Sequence, residues 1–303
     1  MNCRIPVMLV VNTGDVPGGW ITFPAGTYEP DPASNLQRAG SPEFLSYDRA
    51  FNRWILATWN HVSPDGRRYV TQGSNGGEEI VDVATGVVRP VAMPAVNGTW
   101  YVIDWNAQGV YFSLFGGEGP GDPGLWLLNP DSGAVRRLDA TEHWTQVDSR
   151  AAWAVGQASG TMLLQRMDLA SAKVTTELAV PFHFPYQSGD QLLELIALDA
   201  QGRPLVLLRD WQKPYPWHLA LVVAPDTLQD VRIPSSWAAG WSIEDTGDPF
   251  QSFRDVHGFL LSKGIWLYGS YSFGGLALLT PDGVLTQLTD APGNISSIAG
   301  GCH

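Results

Sequence analysis

Two tight turns alternate along this chain of 303 residues, and their fixed order limits the folds that the sequence can adopt. The first turn reads VSPDGRRYV around Gly66 and returns as WNAQGVYF, VDSRAAWAV, LDAQGRPLVLL and LLSKGIWLY. The second turn follows each copy of the first, as VDVATGVVRPV, LNPDSGAVRRL, MDLASAKVTTEL, VAPDTLQDVRI and LTPDGVLTQL. Each repeat is therefore predicted to run strand, turn, strand, loop, strand, turn, strand. A repeat of about 40 to 60 residues with this order is typical of a four-stranded propeller blade.

Short apolar runs between the turns indicate that the fold is all-β. Runs such as GTWYVIDW, GVYFSLF and HLALVVAP are rich in Val, Leu, Tyr and Trp, and Gly, Pro, Asp or Asn bounds them. Helical periodicity is nearly absent, and 33 glycines and 22 prolines suit frequent tight turns. A β-sandwich is the alternative, but a sandwich has no reason to repeat two turns in the same order.

The two ends of the chain are predicted to build one blade together. Five complete repeats, blades 1 to 5, lie within residues 45–290. Residues 294–303 resemble one first strand, and residues 3–32 resemble a second, a third and a weak fourth strand. The prediction is a single six-bladed β-propeller domain over residues 1–303, with four-stranded antiparallel blades. Its last blade is closed by the N- and C-terminal strands, which leaves no sheet edge exposed.

The only two cysteines, Cys3 and Cys302, fall inside this composite blade. They would lie side by side where the other blades have their first turn, so a disulfide between them is predicted. Disulfides persist in oxidising compartments, which favours an extracellular or periplasmic protein. The run IPVMLVV is too short for the core of a signal peptide, so an exported chain would have its leader absent here. Two unrelated buried thiols in a cytoplasmic protein are the alternative.

The charge and hydropathy of the chain disfavour two classes of partner. The formal net charge is -12, and no run rich in Lys or Arg is present, so a nucleic-acid partner is not expected. No stretch approaches the roughly 20 apolar residues that a membrane-spanning helix requires. A membrane span is therefore not expected either.

The stretch HVSPDGRRYV, followed by EEIVDVATGVVRPV, resembles the repeat of TolB-like and WD-repeat-like bacterial six-bladed propellers. Blades of that kind commonly carry an S-P-D-G turn and a D-x-x-T/S-G turn. GGWITFPAGTYEPDPAS and YDRAFNRW also resemble exported bacterial propeller proteins of unassigned role. The resemblance implies the fold and supports export. It implies no catalytic residue, because propellers host many unrelated functions.

Three long loops flank the predicted fourth blade on the face opposite the tight turns. They read AVPFHFPYQSGDQ, RDWQKPYPWH and IPSSWAAGWSIEDTGDPFQSFRD. Aromatic faces beside carboxylates can stack on sugar rings or hold an apolar peptide, so these loops predict a binding site for a glycan or a protein. Packing of the loops on one another across the central channel is the alternative. The predicted ligand-binding residues are Phe182, Tyr186, Trp211, Tyr215, Trp217, Trp237, Trp241 and Phe253.

Enzymatic and structural functions are the other hypotheses. A hydrolase or lyase would place its acid and base groups at the channel mouth, and the candidates are Glu244, Asp245, His183 and His257. No G-x-S-x-G, H-E-x-x-H or phosphate-loop motif is present, so the interpretation favours a non-enzymatic protein. A purely structural or assembly component is the third hypothesis. The sequence leaves the oligomeric state open.

No cofactor or metal is predicted, although two weaker patterns occur. His143, His183 and His218 belong to the loop face and could bind Zn²⁺, but their spacing follows no metal-binding pattern. The segment GGEGPGDPG offers Glu118 and Asp122 to Ca²⁺, but it lacks the regular acidic spacing of a calcium loop.

Overall fold

The described parts of the chain are almost entirely β-structure. Within them lie 25 strands, numbered in chain order, and two 3₁₀ helices, Pro32–Ser34 and Trp59–His61. The computed structural model describes residues 3–10, 18–36, 45–73, 76–96, 98–115, 123–183, 191–210, 217–232, 256–261, 264–269, 276–289 and 294–303.

Five four-stranded sheets account for 20 of these strands, and they are numbered here after the predicted blades. The terminal sheet has the order β25 (Asn294–Ile298), β1 (Cys3–Val10), β2 (Gly18–Phe23) and β3 (Thr27–Pro30). Sheet 2 contains β9 (Thr99–Asn106), β10 (Gly109–Phe115), β11 (Leu125–Leu128) and β12 (Val135–Asp139). Sheet 3 contains β13 (Gln146–Val147), β14 (Ala151–Ala158), β15 (Thr161–Asp168) and β16 (Val174–Pro181). Sheet 4 contains β17 (Gln191–Leu198), β18 (Pro204–Asp210), β19 (Trp217–Ala224) and β20 (Thr227–Asp230). Sheet 5 contains β21 (Val256–Leu261), β22 (Gly264–Gly269), β23 (Leu276–Leu279) and β24 (Leu285–Thr289).

Alternating side chains explain why these runs form sheets buried on both faces. In β1, Ile5, Val7 and Leu9 enter one apolar core, whereas Met8, between them, enters another with Trp54. Successive strand residues point to opposite faces, so a nearly continuous apolar run supplies two cores at once. Full burial of each such side chain contributes about 1.5 to 3 kcal/mol.

In sheets 2 to 5, neighbouring strands follow one another in the chain, which fixes two distinct ends. The connections from first to second strand and from third to fourth strand lie at one end, called here the turn end. The other end, called the loop end, holds the start of the first strand, the connection from second to third strand, and the end of the fourth strand. A four-stranded antiparallel meander of this type is the unit of a propeller.

The repeated turns have the local chemistry that the sequence predicts. In the first type, the Ser63 amide donates to the Arg68 carbonyl at 2.8 Å, and Gly66 takes a left-handed φ of 70°. Gly suits this conformation because it carries no Cβ. In the second type, Gly86 has a φ of 70°, and Ala172 takes the corresponding place with a φ of 55°. The backbone therefore keeps this turn even where the glycine is missing from the sequence.

The terminal sheet confirms the predicted pairing of head and tail. β25 pairs antiparallel with β1, with Val7 opposite Ile298. Beyond β25, the Arg4 amide donates to the His303 carbonyl at 3.0 Å, and the His303 amide donates to the Arg4 carbonyl at 2.9 Å. Cys3 and Cys302 form a disulfide with their Cα atoms 5.4 Å apart. The predicted disulfide is therefore confirmed.

The segment predicted as blade 1 does not form one four-stranded sheet. Its strands divide into a two-stranded sheet and a three-stranded sheet, and the strand expected beside β6 is reduced to one bridge between Val62 and Tyr69. The 3₁₀ helix Trp59–His61 occupies the residues just before that bridge. The described residues thus form five four-stranded sheets, and the sixth blade of the prediction is not formed as such. The strands are β4 (Ser46–Asp48) with β5 (Arg53–Ile55), and β6 (Arg68–Gln72), β7 (Glu78–Asp82) and β8 (Val88–Pro90).

The chain divides into two compact units, each with its own apolar cores. Unit 1 comprises Met1–Trp59, Ile196–Arg203 and Asp230–His303. Unit 2 comprises Asn60–Leu195 and Pro204–Gln229. In the part of the chain that the structure describes, no helix is long and apolar enough to cross a membrane.

Candidate functional site

Two of the three long aromatic segments attach at the loop end of sheet 4. Residues 211–216 connect β18 to β19, residues 184–190 precede β17, and residues 233–255 follow the end of the sheet. The strand order places the first two attachments at the same end of the sheet. The third segment follows Arg232, whose amide donates to the Gly283 carbonyl at 3.0 Å in the turn between β23 and β24. Eight predicted site residues lie outside the described residues: Tyr186, Trp211, Tyr215, Trp237, Trp241, Phe253, Glu244 and Asp245.

Two predicted ligand-binding residues mark the bases of these segments. Phe182 follows β16, its amide donates to the Gly160 carbonyl at 2.8 Å, and its side chain is only 8% exposed. A ring buried to this degree fixes the start of the segment and does not form part of its surface. Trp217 is the first residue of β19 and lies opposite Arg209 in β18. It therefore stands at the loop end of the sheet.

The histidines considered for catalysis or zinc binding are spread over several elements. His183 is exposed after β16, and His218 is half-buried in β19. His143 is exposed and bridges Gly124, and His257 lies in β21 opposite Tyr268. No three His, Cys, Asp or Glu side chains among the described residues are grouped closely enough to hold a metal ion. Glu118 and Asp122, the calcium candidates, lie outside the described ranges.

A buried carboxylate that the sequence analysis did not select lies in unit 2. Glu78 is the first residue of β7, at the loop end, and its side chain is 7% exposed. Strand alternation places it on the same face as Ile80, which packs in the apolar core with Val102. Burial raises the pKa of Glu78 to about 7. In the described part of the chain its carboxylate makes no hydrogen bond or ion pair.

Three aromatic side chains of sheet 2 lie in or against the same core. The ring of Trp100 meets that of Trp126 edge-on at 5.0 Å and that of Phe112 at 6.1 Å. Trp126 and Phe112 are buried core members, whereas Trp100 is half-buried and packs against the core from the loop end. The guanidinium of Arg137 covers the Trp126 ring at 4.7 Å.

Glu78 and Trp100 have matching positions in their strands. Glu78 precedes the core residue Ile80 by two positions, and Trp100 precedes the core residue Val102 by two positions. Both β7 and β9 start at the loop end, so the carboxyl group and the indole occupy the same end of one apolar layer. The sequence signal for this site was a glutamate at an inward position of the alternating stretch EEIVDV.

A second carboxyl group with a raised pKa lies at the turn end. Asp104 is half-buried in β9 opposite Tyr111. Burial raises the pKa of Asp104 to about 7, and the charge of Asp148 adds to this effect. Tyr111 is buried and donates its hydroxyl hydrogen to the Gln108 side chain at 2.5 Å. These groups lie among the tight turns, so they belong to the framework rather than to the loop end.

The terminal sheet carries a closed aromatic cluster in unit 1. The Trp20 and Trp54 indoles both donate to one Asp31 carboxylate oxygen, at 3.0 and 2.9 Å. The Tyr47 ring lies 4.5 Å from Trp20 and 4.9 Å from His303. Burial, together with nearby arginine charges, lowers the pKa of His303 to about 4. These rings meet edge-on, so the cluster links β2, β4, β5 and His303.

Comparison with known proteins finds solved structures of low sequence identity and low TM-score. No protein-family model matches the sequence, and no curated protein matches it. The structure is similar to TolB from Acinetobacter baumannii, with 11% identity and a TM-score of 0.46. That alignment covers 93% of this chain and 62% of TolB, so the chain spans less than two thirds of that protein.

Two further solved structures have similar values. A structure of a nidogen/laminin complex gives 6% identity and a TM-score of 0.44, covering 92% of this chain and 89% of the other. An uncharacterized protein from Listeria monocytogenes gives 10% identity and a TM-score of 0.43, covering 96% and 81%. No functional residue is transferred from these structures to this chain.

Proposed function

We propose that the protein is a non-enzymatic binding module, which recognises a glycan or another protein through the aromatic segments around sheet 4. One observation carries the proposal: two segments rich in aromatic residues attach at one end of a single sheet, and a third follows the same sheet in the sequence. Variable segments on a rigid β-scaffold are the usual carriers of binding. Aromatic rings contribute large contact areas at low entropic cost.

The proposal includes a six-bladed propeller in which β4 to β8 supply the remaining blade. Residues 46–90 contain the two predicted turns and five strands, and this content supports a blade of irregular form.

The proposal also includes an extracellular or periplasmic location for the protein. The Cys3–Cys302 disulfide supports that location, because such bonds persist where the surroundings are oxidising.

A glycan array probed with the purified chain and three variants tests the binding function. Trp217→Ala changes the first residue of β19, Trp241→Ala changes the aromatic sequence of segment 233–255, and Phe51→Ala removes a ring that is 37% exposed in the turn between β4 and β5. We expect the two tryptophan variants to weaken binding by about tenfold or more, since aromatic anchors dominate such contacts, and Phe51→Ala to leave it unchanged. Equal binding by all four proteins, or no glycan bound by the wild type, would count against a glycan ligand.

The protein arm of the proposal uses the same variants. The wild type is cross-linked to proteins in the extracellular or periplasmic fraction of its source, and the partners are identified by mass spectrometry. A partner that Phe51→Ala retains and both tryptophan variants lose supports the proposal. Partners shared by all the variants contradict it.

A further inference from the structure

We infer that Glu78 and Trp100 form a binding site for an organic ammonium group at the loop end of the layer between the β6–β8 sheet and sheet 2. This site is separate from the aromatic segments of sheet 4 and does not depend on their function. It is built entirely from described residues of unit 2.

The first argument is that Glu78 has no counter-charge. A buried carboxylate is normally paired or hydrogen-bonded, because removal of its hydration is costly. Glu78 is 7% exposed, yet it has no such partner within the described part of the chain. It keeps a proton to unusually high pH for that reason, in agreement with its raised pKa. A cation brought by a ligand would supply the missing partner.

The second argument is that the arginines of unit 2 near this layer have other partners. Arg68 pairs with Asp131 at 2.7 Å, and Arg89 donates to the Asp131 carbonyl at 2.9 Å. Arg137 donates to the Asp139 carbonyl at 3.1 Å while it covers Trp126. These three arginines are thus held by other groups.

The third argument concerns the aromatic wall. Indole faces attract cations, and the face of Trp126 is already covered by Arg137. Trp100 is half-buried, is held edge-on by two neighbouring rings, and has no cation over its ring among the described residues. A carboxylate and a free indole at one end of an apolar layer match an ammonium group on an alkyl chain. The net charge of -12 also attracts such a ligand.

Glu79 provides a matched control on the same strand. It is the next residue, so strand alternation turns it to the opposite face, and its carboxyl group lies against Gly73. Glu79→Gln therefore removes the same charge from nearly the same place without changing the proposed site.

The test is a titration of the folded chain by isothermal calorimetry at pH 8. The probes are n-butylammonium, Nα-acetyl-lysine methylamide and its Nε-acetylated form, which lacks the charge. We expect one or both ammonium probes to bind the wild type and Glu79→Gln, and the Nε-acetylated probe not to bind. We expect Glu78→Gln to weaken binding by about tenfold or more, since a charge-assisted pair is lost. Binding of both ammonium probes indicates a general amine site, and binding of the lysine probe alone indicates a peptide ligand.

Any of three outcomes overturns the inference. One is the absence of binding by either ammonium probe to the wild type. The others are equal affinity in the wild type and Glu78→Gln, and equal affinity for the Nε-acetylated probe. Thermal melting of Glu78→Gln shows that the variant is folded, and Trp100→Phe, which keeps an aromatic ring of lower cation affinity, gives a second measurement. Glu78→Gln should leave binding at the sheet 4 loops unchanged, so failure here is distinguishable from failure of the proposed function.

Discussion

At the residue scale, Glu78 and Asp31 show how surroundings decide the state of a carboxyl group. Glu78 faces an apolar core, so burial raises its pKa to about 7. Burial would also raise the pKa of Asp31, but hydrogen bonds from Trp54 and Trp20 hold that pKa below its usual range. The carboxylate is therefore a stabilising hydrogen-bond acceptor at Asp31 and a destabilising charge at Glu78.

The Glu78→Gln substitution is predicted to make the chain more stable at pH 8 and to leave it almost unchanged at pH 4. The folded chain keeps the Glu78 proton to a pKa of about 7, whereas an unfolded chain releases it near pH 4.5. The folded state thus binds more protons between these values, and its free energy of unfolding falls as the pH rises through them. The gain at pH 8 is about 1 to 3 kcal/mol. Urea unfolding at both pH values measures it.

Glu79→Gln is the control for this experiment, because Glu79 lies on the opposite face of the same strand, and it should change the stability at pH 8 by less than Glu78→Gln does. Asp104 has a raised pKa too, so a residual loss of stability with rising pH is expected in both variants. An equal effect of Glu78→Gln at pH 4 and pH 8 would contradict the assignment of a protonated, buried carboxyl group.

At the scale of elements, local sequence patterns predicted the turns and strands, but long-range contacts determined how the first predicted blade divides. The tight turns and their strands were predictable, because Ser, Asp and Gly at fixed offsets determine the turn and period-two alternation determines the buried faces. The split of the first predicted blade was not predictable. Asn60, in the 3₁₀ helix before Val62, donates its side-chain amide to the Val102 and Ile103 carbonyls at 3.0 and 3.2 Å. Such bonds to another sheet leave no signal in the local sequence.

The Asp31→Asn substitution is predicted to weaken the contacts that hold β2 of the terminal sheet to β5. Asp31 accepts from the indoles of Trp20 in β2 and Trp54 in β5, and a neutral amide replaces these charge-assisted bonds with weaker ones. The expected loss of unfolding free energy is about 1 to 3 kcal/mol. Asp131→Asn is the comparison, since its ion pair with Arg68 is exposed and should contribute below about 1 kcal/mol. Equal losses in chemical denaturation would argue against the role of the Asp31 cluster.

At the scale of the whole molecule, the two ends of the chain form one sheet. This was predictable because five repeats accounted for the middle of the sequence and left one strand at the C-terminus and three at the N-terminus. Cys3 and Cys302 lie where the other repeats have their first tight turn, and the disulfide was predicted from that position. The three aromatic segments were predictable from the sequence as loops around sheet 4, but their own residues lie outside the described ranges. Glu78 was missed because its burial depends on a neighbouring sheet.

Peptide mapping of the oxidised, unreduced protein by mass spectrometry tests the head-to-tail sheet most directly. Free thiols are alkylated in denaturant before digestion, so only cysteines that are already bonded escape the label. The account predicts one cross-linked peptide that joins Cys3 to Cys302, which separates into its two halves on reduction. Alkylated Cys3 and Cys302, recovered on separate peptides from protein purified without reductant, would contradict it.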